Sequence, residues 1–180
     1  MGQIEELTQQ VNRGERMKWL HFWGHRPRPD GQLSASCLSQ WWAAPFEVDG
    51  LRYATAEHWM MAGKARLFGD AEAERAALAA RTPAEAKKVG RQVRGFDETV
   101  WERERFRIVV EGSVHKFASD EGLRGFLVGT GGRVLVEASP MDRVWGIGLA
   151  AGDPRAKDPS RWRGLNLLGF ALMEARERLR

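Results

Sequence analysis

The chain holds one cysteine in 180 residues. Cys37 alone excludes an internal disulfide and a multi-cysteine zinc site. No apolar run approaches the roughly 20 residues that span a bilayer. The four histidines, His21, His25, His58 and His115, have no spacing that builds a metal site, and no HExxH pattern is present. His21 and His25 are four apart, but a predicted strand and loop do not align them as a helix would. Gly-x-Ser-x-Gly and Cys–His patterns are also absent, so a serine or cysteine triad has no local support. No composition break or internal repeat divides the chain. Its acidic, polar start does not read as a signal peptide, and position 6 lacks the Ser or Thr of a myristoylation motif. The expectation is a soluble cytoplasmic protein with no metal, no cofactor and no membrane partner.

What is present suits a packed domain. Apolar residues make up 43%, with eight Trp and eight Phe, which suffices for a core without staples. Charged residues reach 29%, an ordinary globular share. There are 28 basic and 24 acidic side chains, hence a formal charge of +4, a weak bias toward an anionic partner. The basic residues are mostly Arg, which suits bidentate phosphate contacts.

Periodicity and punctuation give the elements. Ile4, Leu7 and Val11 predict a short helix within residues 3–17, and Trp19 to Trp23 a first strand. Residues 24–32 read as a loop. Asp49-Gly50 between Phe46-Glu47-Val48 and Leu51-Arg52-Tyr53 is a hairpin signal. Thr55 can cap a helix to about Phe68, and Asp70 one to about Ala80. Thr82-Pro83-Ala84-Glu85 is a capping box, so residues 83–93 should be helical. Asp97 can cap a long helix to about Phe117, and Asp120 a short one to about Gly129. Arg133 to Ala138 reads as a strand, and Leu165 to Leu179 as an amphipathic closing helix. The sum is a single α+β domain, mostly helical, with a small β-sheet.

Several residues carry chemistry. Glu57 and Lys64 are seven apart on a predicted helix, close to two turns, and so share a face. In a cleft they would be an acid/base and an amine nucleophile or phosphate ligand; on an outward face they would be a solvated pair. In the stretch Glu137 to Gly148, Gly146 and Gly148 can bring backbone amides close to a phosphate or ribose. There Asp142 can hold sugar hydroxyls or orient water, and Trp145 can stack on a base; the bland alternative is a turn with a core Trp. Phe22, Trp23, Trp41 and Trp42 offer stacking faces, Phe22 and Trp41 above the rest, although most Trp in a domain serve the core. Lys87, Arg91 and Arg94 share a helical face that can receive phosphate or simply be solvated.

Read in order, these residues resemble the NADAR (NAD and ADP-ribose associated; YbiA-like) family. The resemblance rests on Leu38-Ser39-Gln40-Trp41-Trp42, Pro45-Phe46, Asp49-Gly50, Tyr53, Glu57-His58-Trp59, Lys64-Ala65 and Phe68-Gly69-Asp70. It continues through Lys87-Lys88-Val89-Gly90-Arg91, Phe96, Trp101, Lys116-Phe117, Leu127, Thr130-Gly131, Glu137, Asp142, Trp145-Gly146-Ile147-Gly148-Leu149, Trp162, Gly164 and Asn166 with Leu168-Gly169. It covers about residues 20–180. It divides the chain into an N-terminal helical extension, residues 1–17, and a YbiA-like domain, residues 18–180. It implies an N-glycosidase that hydrolyses a C–N bond of a ribosylated base: either ADP-ribosylated guanine in nucleic acid or a phosphoribosylamino-pyrimidine intermediate of riboflavin synthesis. By position, Glu57 would be the acid/base, Lys64 a Schiff-base nucleophile and Asp142 a further site residue. Phe22, Trp23, Gln40, Trp41, Arg91, Trp145, Gly146, Gly148 and Asn166 would bind the substrate, a nucleotide or ADP-ribose-type molecule, Asn166 being either structural or ribose-binding. Gln40 replaces an Asn common in the family. Gly63, inside the helix of Glu57, is expected to allow close packing on the loop of Asp142. Two other classes compete: a non-catalytic ADP-ribose or NAD module, and a nucleic-acid binder, for which +4 is a modest charge.

Overall fold

The computed structural model describes residues 2–180. Among these are seven α-helices, four short strands and three 3-10 turns. The expected mostly helical α+β domain is found, with two separate two-stranded sheets in place of one. β1 (Trp19–Phe22) pairs in parallel with β4 (Val134–Glu137), Trp19 opposite Val134 and Phe22 opposite Glu137. A parallel pair needs a long crossover, and here nearly all the helices lie between the two strands. Both strands therefore deliver their C-terminal ends, Trp23 and Glu137, to one place. β2 (Phe46–Val48) and β3 (Leu51–Tyr53) form the hairpin that Asp49-Gly50 predicts, both turn residues having positive φ.

The spine is α5 (Glu98–Ala118), which packs on α7 (Leu167–Leu179) and on α2 (Ala56–Leu67). The crossing with α2 is close because glycine faces it from both helices. A Cβ on Gly63 would lie 3.0 Å from Ile108 Cγ2, and one on Gly112 would overlap the Trp59 ring. Gly63 thus serves α5, not the loop of Asp142 as expected from the sequence. Trp59 Nε1 donates to the Ile108 carbonyl at 2.8 Å, fixing the same crossing.

Helix starts follow the sequence signals with two departures. Asp70, Asp97 and Asp120 accept from the backbone amides of Ala73, Val100 and Leu123, opening α3 (Ala71–Ala79), α5 and α6 (Glu121–Gly129). Thr55 instead bonds His58 Nδ1 at 2.8 Å and does not cap α2. The helix expected over residues 83–93 is α4, Pro83–Gly90. It stops early because Arg94 folds back on Asp70, its Nη2 2.7 Å and its backbone amide 2.9 Å from the carboxylate. Those bonds hold the Asp70 carboxyl well below its usual range and remove Arg94 from the basic face it was expected to share with Lys87 and Arg91. At the N-terminus α1 spans Gln3–Asn12, ends before Gly14 at φ 80°, and sinks Leu7 into a cluster with Val134, Val136 and Ile147.

Lys116 is fully buried on α5. Its Nζ donates to the carbonyls of Cys37 and Ser39 at 2.6 and 2.7 Å, tying α5 to the 3-10 turn Ala35–Leu38 and the segment that follows it. Burial pushes this amine down to about 7. Replacing Lys116 with Met leaves the buried Cys37 carbonyl without its partner, while the Ser39 carbonyl keeps the Trp42 amide; an orphaned buried acceptor costs about 1–3 kcal/mol, so urea unfolding should show a loss of about 1–3 kcal/mol, and a loss under about 0.5 kcal/mol would contradict this role. The unfolded chain keeps the Lys116 proton up to its free value of 10.5. Wild-type stability therefore gains as pH rises from about 7 toward that value, and the variant lacks this gain.

Candidate active site

A cavity of about 520 Å³ lies where the ends of β1 and β4 meet the first turns of α2. One wall is α2 itself, with Glu57, Met60, Met61 and Lys64. The backbone amide of Glu57 donates to the Gln40 carbonyl at 3.0 Å. The Lys116-held segment and the start of α2 are thereby locked together, and Gln40 and Trp41 enter the cavity beside Glu57. Lys87, Gly90 and Arg91 close it from α4, Trp101 from α5, and Trp23 and His25 from the chain after β1. Glu137, Ser139, Met141, Asp142 and Trp145 complete it from the end of β4 and the loop beyond.

Glu57 is buried, and its Oε1 has no hydrogen-bond partner. Burial pushes its carboxyl up to about 7; Asp142 adds to this, while Lys87, Trp41 and Arg91 oppose it. Lys64 is half-buried. Its Nζ lies 4.1 Å from the ring centre of Phe96 and 5.3 Å from that of Trp101. Burial lowers the pKa of its amine. Among the described residues no ion pair joins Lys64 to Glu57, so the two are not a solvated surface pair; they are separate groups on one cavity wall.

The remaining residues fall into two groups. Trp23, Gln40, Trp41, Arg91, Asp142 and Trp145 line the cavity with Glu57 and Lys64. Trp23 is 61% exposed and stands at the rim. Trp41 lies between the His25 ring, 5.5 Å away, and Lys87 Nζ, 5.9 Å away. Gln40 is buried with Nε2 unmatched. Asp142 Oδ1 accepts from the amides of Val144 and Trp145 at 2.8 Å each, shaping the loop.

Phe22, Gly146, Gly148 and Asn166 do not line the cavity. Phe22 is buried in the main core, because the strand alternation turns it inward. The Gly148 amide is spent on the Asp142 carbonyl at 3.1 Å, so it is not offered to a phosphate. Gly146 is needed for packing: a Cβ there would lie 2.9 Å from the Glu137 carbonyl oxygen and 3.0 Å from that of Asp142. Asn166, fully buried at φ 52°, accepts from the Glu137 amide at 2.9 Å and donates to the Leu135 carbonyl at 3.0 Å. It fixes the end of β4.

Glu137, which matches the family pattern but was given no site role from the sequence, is a further cavity residue. Its signal was a lone carboxyl closing the apolar run Val134-Leu135-Val136. Its Oε2 is sealed from solvent without a partner. Burial pushes it up to about 8, with Asp142 and Glu57 adding and Lys87 opposing. The cavity therefore combines two carboxyls that hold protons near neutral pH, one amine of lowered basicity, exposed aromatic faces, and two cations, Lys87 and Arg91, suited to phosphate.

Residues 21–180 match the NADAR domain. The chain is 38% identical over 165 residues to N-glycosidase R617 of Acanthamoeba polyphaga mimivirus, covering 89% of this chain and 95% of that protein. It is 36% identical over 104 residues to the chloroplastic riboflavin biosynthesis protein PYRR of Zea mays, covering 56% of this chain and 15% of that protein. The NMR structure of the Escherichia coli protein YbiA matches with a TM-score of 0.72 at 26% identity, covering 91% of this chain and 86% of that one. With the family match over residues 21–180, a relative aligned over nearly its whole length and the fold in agreement, the chain belongs to the NADAR domain family.

Proposed function

We propose that this protein is an N-glycosidase that hydrolyses the C–N bond between a ribose and a base, with the Glu57 cavity as its active site. The observation that carries this reading is the buried, unmatched Glu57 carboxyl in the same cavity as the Lys64 amine. Cleaving an N-glycosidic bond requires a proton for the departing base and a nucleophile for the cationic sugar. Glu57, with its raised pKa, supplies the proton. Lys64, with its lowered one, attacks the anomeric carbon and forms a transient imine. Lys87 and Arg91 hold substrate phosphate, Trp23, Trp41 and Trp145 give the base stacking faces, and Gln40 Nε2 offers a hydrogen bond. Asp142 keeps the loop in place, and its charge favours the protonated form of both glutamates.

The substrate is a ribosylated purine or pyrimidine: ADP-ribosylated guanine, free or in nucleic acid, or a phosphoribosylamino-pyrimidine of riboflavin synthesis. Parallel hydrolysis assays on the two classes, read by mass spectrometry, should show free base from at least one. A kcat/KM more than about tenfold higher for one class would assign it, since tenfold equals ~1.4 kcal/mol of transition-state discrimination. Binding of ADP-ribose with no base released from either class would replace this reading with a non-catalytic module.

A further inference from the structure

Glu137 reaches the cavity from the end of β4, while Glu57 reaches it from α2. Each presents one carboxyl oxygen that is sealed from solvent and bonded to nothing. Buried polar atoms in folded proteins nearly always have partners, and the exceptions cluster where the group is kept for chemistry. This chain shows what a structural carboxylate looks like. Asp70 and Asp153 each bind an Arg side chain and backbone amides. The Glu137 side chain has none of this, although its main chain is fixed on both sides: its amide donates to Asn166 Oδ1 and its carbonyl accepts from the Ile147 amide at 2.9 Å. The backbone is held firmly in place to aim a carboxyl whose buried Oε2 has no partner among the described residues.

The imine route gives that carboxyl work. Lys64 Nζ bonds to C1 of the sugar as the C1–N bond to the base breaks, and the base nitrogen gains a proton. The C1–O bond to the ring oxygen then breaks as C=N forms, and the ring oxygen gains a proton. A neutral amine brings two protons and the iminium keeps one, so it can supply only one of the two gained. The other comes from a carboxylic acid, which becomes the counter-anion of the iminium. Water then adds to C1, the amine is released neutral, and the proton left over returns to the carboxylate. Glu57 gives its proton to the base and takes back the one that the attached amine loses, so the proton for the ring oxygen comes from a second acid. We infer that Glu137 is a second acid of the pocket, serving the sugar ring oxygen while Glu57 serves the base; this rests on the N-glycosidase reading. The charged and titratable groups facing it are Glu57 and Lys64 from α2, Lys87 and Arg91 from α4, Asp142 from its own loop, and His25 after β1. Its raised pKa keeps it protonated at neutral pH, as a donor requires.

The test is Glu137→Gln, which keeps shape and a hydrogen-bond donor but has no proton to release, with Glu137→Asp as the conservative partner. Wild-type base release is measured first; if there is none, the N-glycosidase reading itself fails. Given wild-type turnover, Glu137→Gln should lower kcat on the order of 100-fold with KM within about threefold, because binding is kept and a transition-state proton is lost. The fall that Glu57 sets through about 7 should remain in Glu137→Gln, but the steeper fall that wild type adds above about 8 should be missing, and Glu137→Asp should recover part of both rate and limb. A kcat within about threefold of wild type, or an unchanged upper limb in Glu137→Gln, overturns the inference. If Glu137→Gln melts well below wild type, Glu137→Asp decides: restored folding with no recovery of the alkaline limb also overturns it.

Discussion

Glu57→Gln is expected to lower turnover on the order of 1000-fold while leaving ligand affinity within a few-fold. The amide keeps the shape of a buried side chain whose backbone is already fixed to Gln40, so the cavity should not collapse. What it loses is a transferable proton, and a group that acts only in the transition state lowers kcat without raising KM. The wild-type rate should fall as pH rises through about 7, where the Glu57 proton is lost. Stability carries the same signature. Glu57 and Glu137 have folded values of about 7 and about 8 against 4.5 when free, so between 4.5 and about 8 the folded chain binds more protons than the unfolded one. Stability from these two groups is present at low pH and is lost as pH rises through that window. Glu57→Gln should show a shallower decline in urea midpoint between pH 5 and pH 8, conditions chosen on the order of that window.

Lys64→Ala should remove activity to a similar degree, on the order of 1000-fold or more. In the wild type, borohydride added during turnover should leave a reduced sugar adduct on the Lys64 peptide, and Lys64→Ala should leave none. The amine sits on Phe96 and Trp101, and burial lowers its pKa. A larger neutral fraction at a given pH is the property a nucleophilic lysine needs. The rising limb of the pH–rate profile should therefore fall below that of an ordinary lysine, toward neutral pH. Lys64→Arg, which keeps charge but cannot form an imine, separates the two roles open to this residue. If Lys64 only holds a phosphate, Lys64→Arg retains substantial turnover; if it attacks the sugar, Lys64→Arg is as inactive as Lys64→Ala.

Much of the fold was legible because its signals are local. The Asp49-Gly50 hairpin and the Asp97 and Asp120 caps depend on residues within a few positions, and each element stands where the pattern puts it. The early end of α4 was not legible, since it is decided by Arg94 reaching Asp70 across 24 residues. Pairing β1 with β4 is likewise a long-range event that no local pattern encodes. The site followed the same division. Glu57, Lys64, Trp41 and Asp142 were found through residue type and resemblance. Phe22 was misjudged because its loop neighbours are polar while its own side chain turns into the core. Asn166 was expected to be structural or ribose-binding, and its polarity is spent on the backbone of β4. Glu137 matches the family pattern but was given no role, because a glutamate at a strand end is usually solvated and only the tertiary arrangement seals it in the cavity of Glu57.

The most direct measurement is quantitation of free base and reducing sugar after incubating each substrate class with wild type and with Glu57→Gln at matched concentration. Wild type should release equal amounts of base and sugar, and the variant should work at less than about 1% of that rate. Base release by Glu57→Gln at the wild-type rate, or tight ligand binding by wild type without base release from either class, would contradict that expectation.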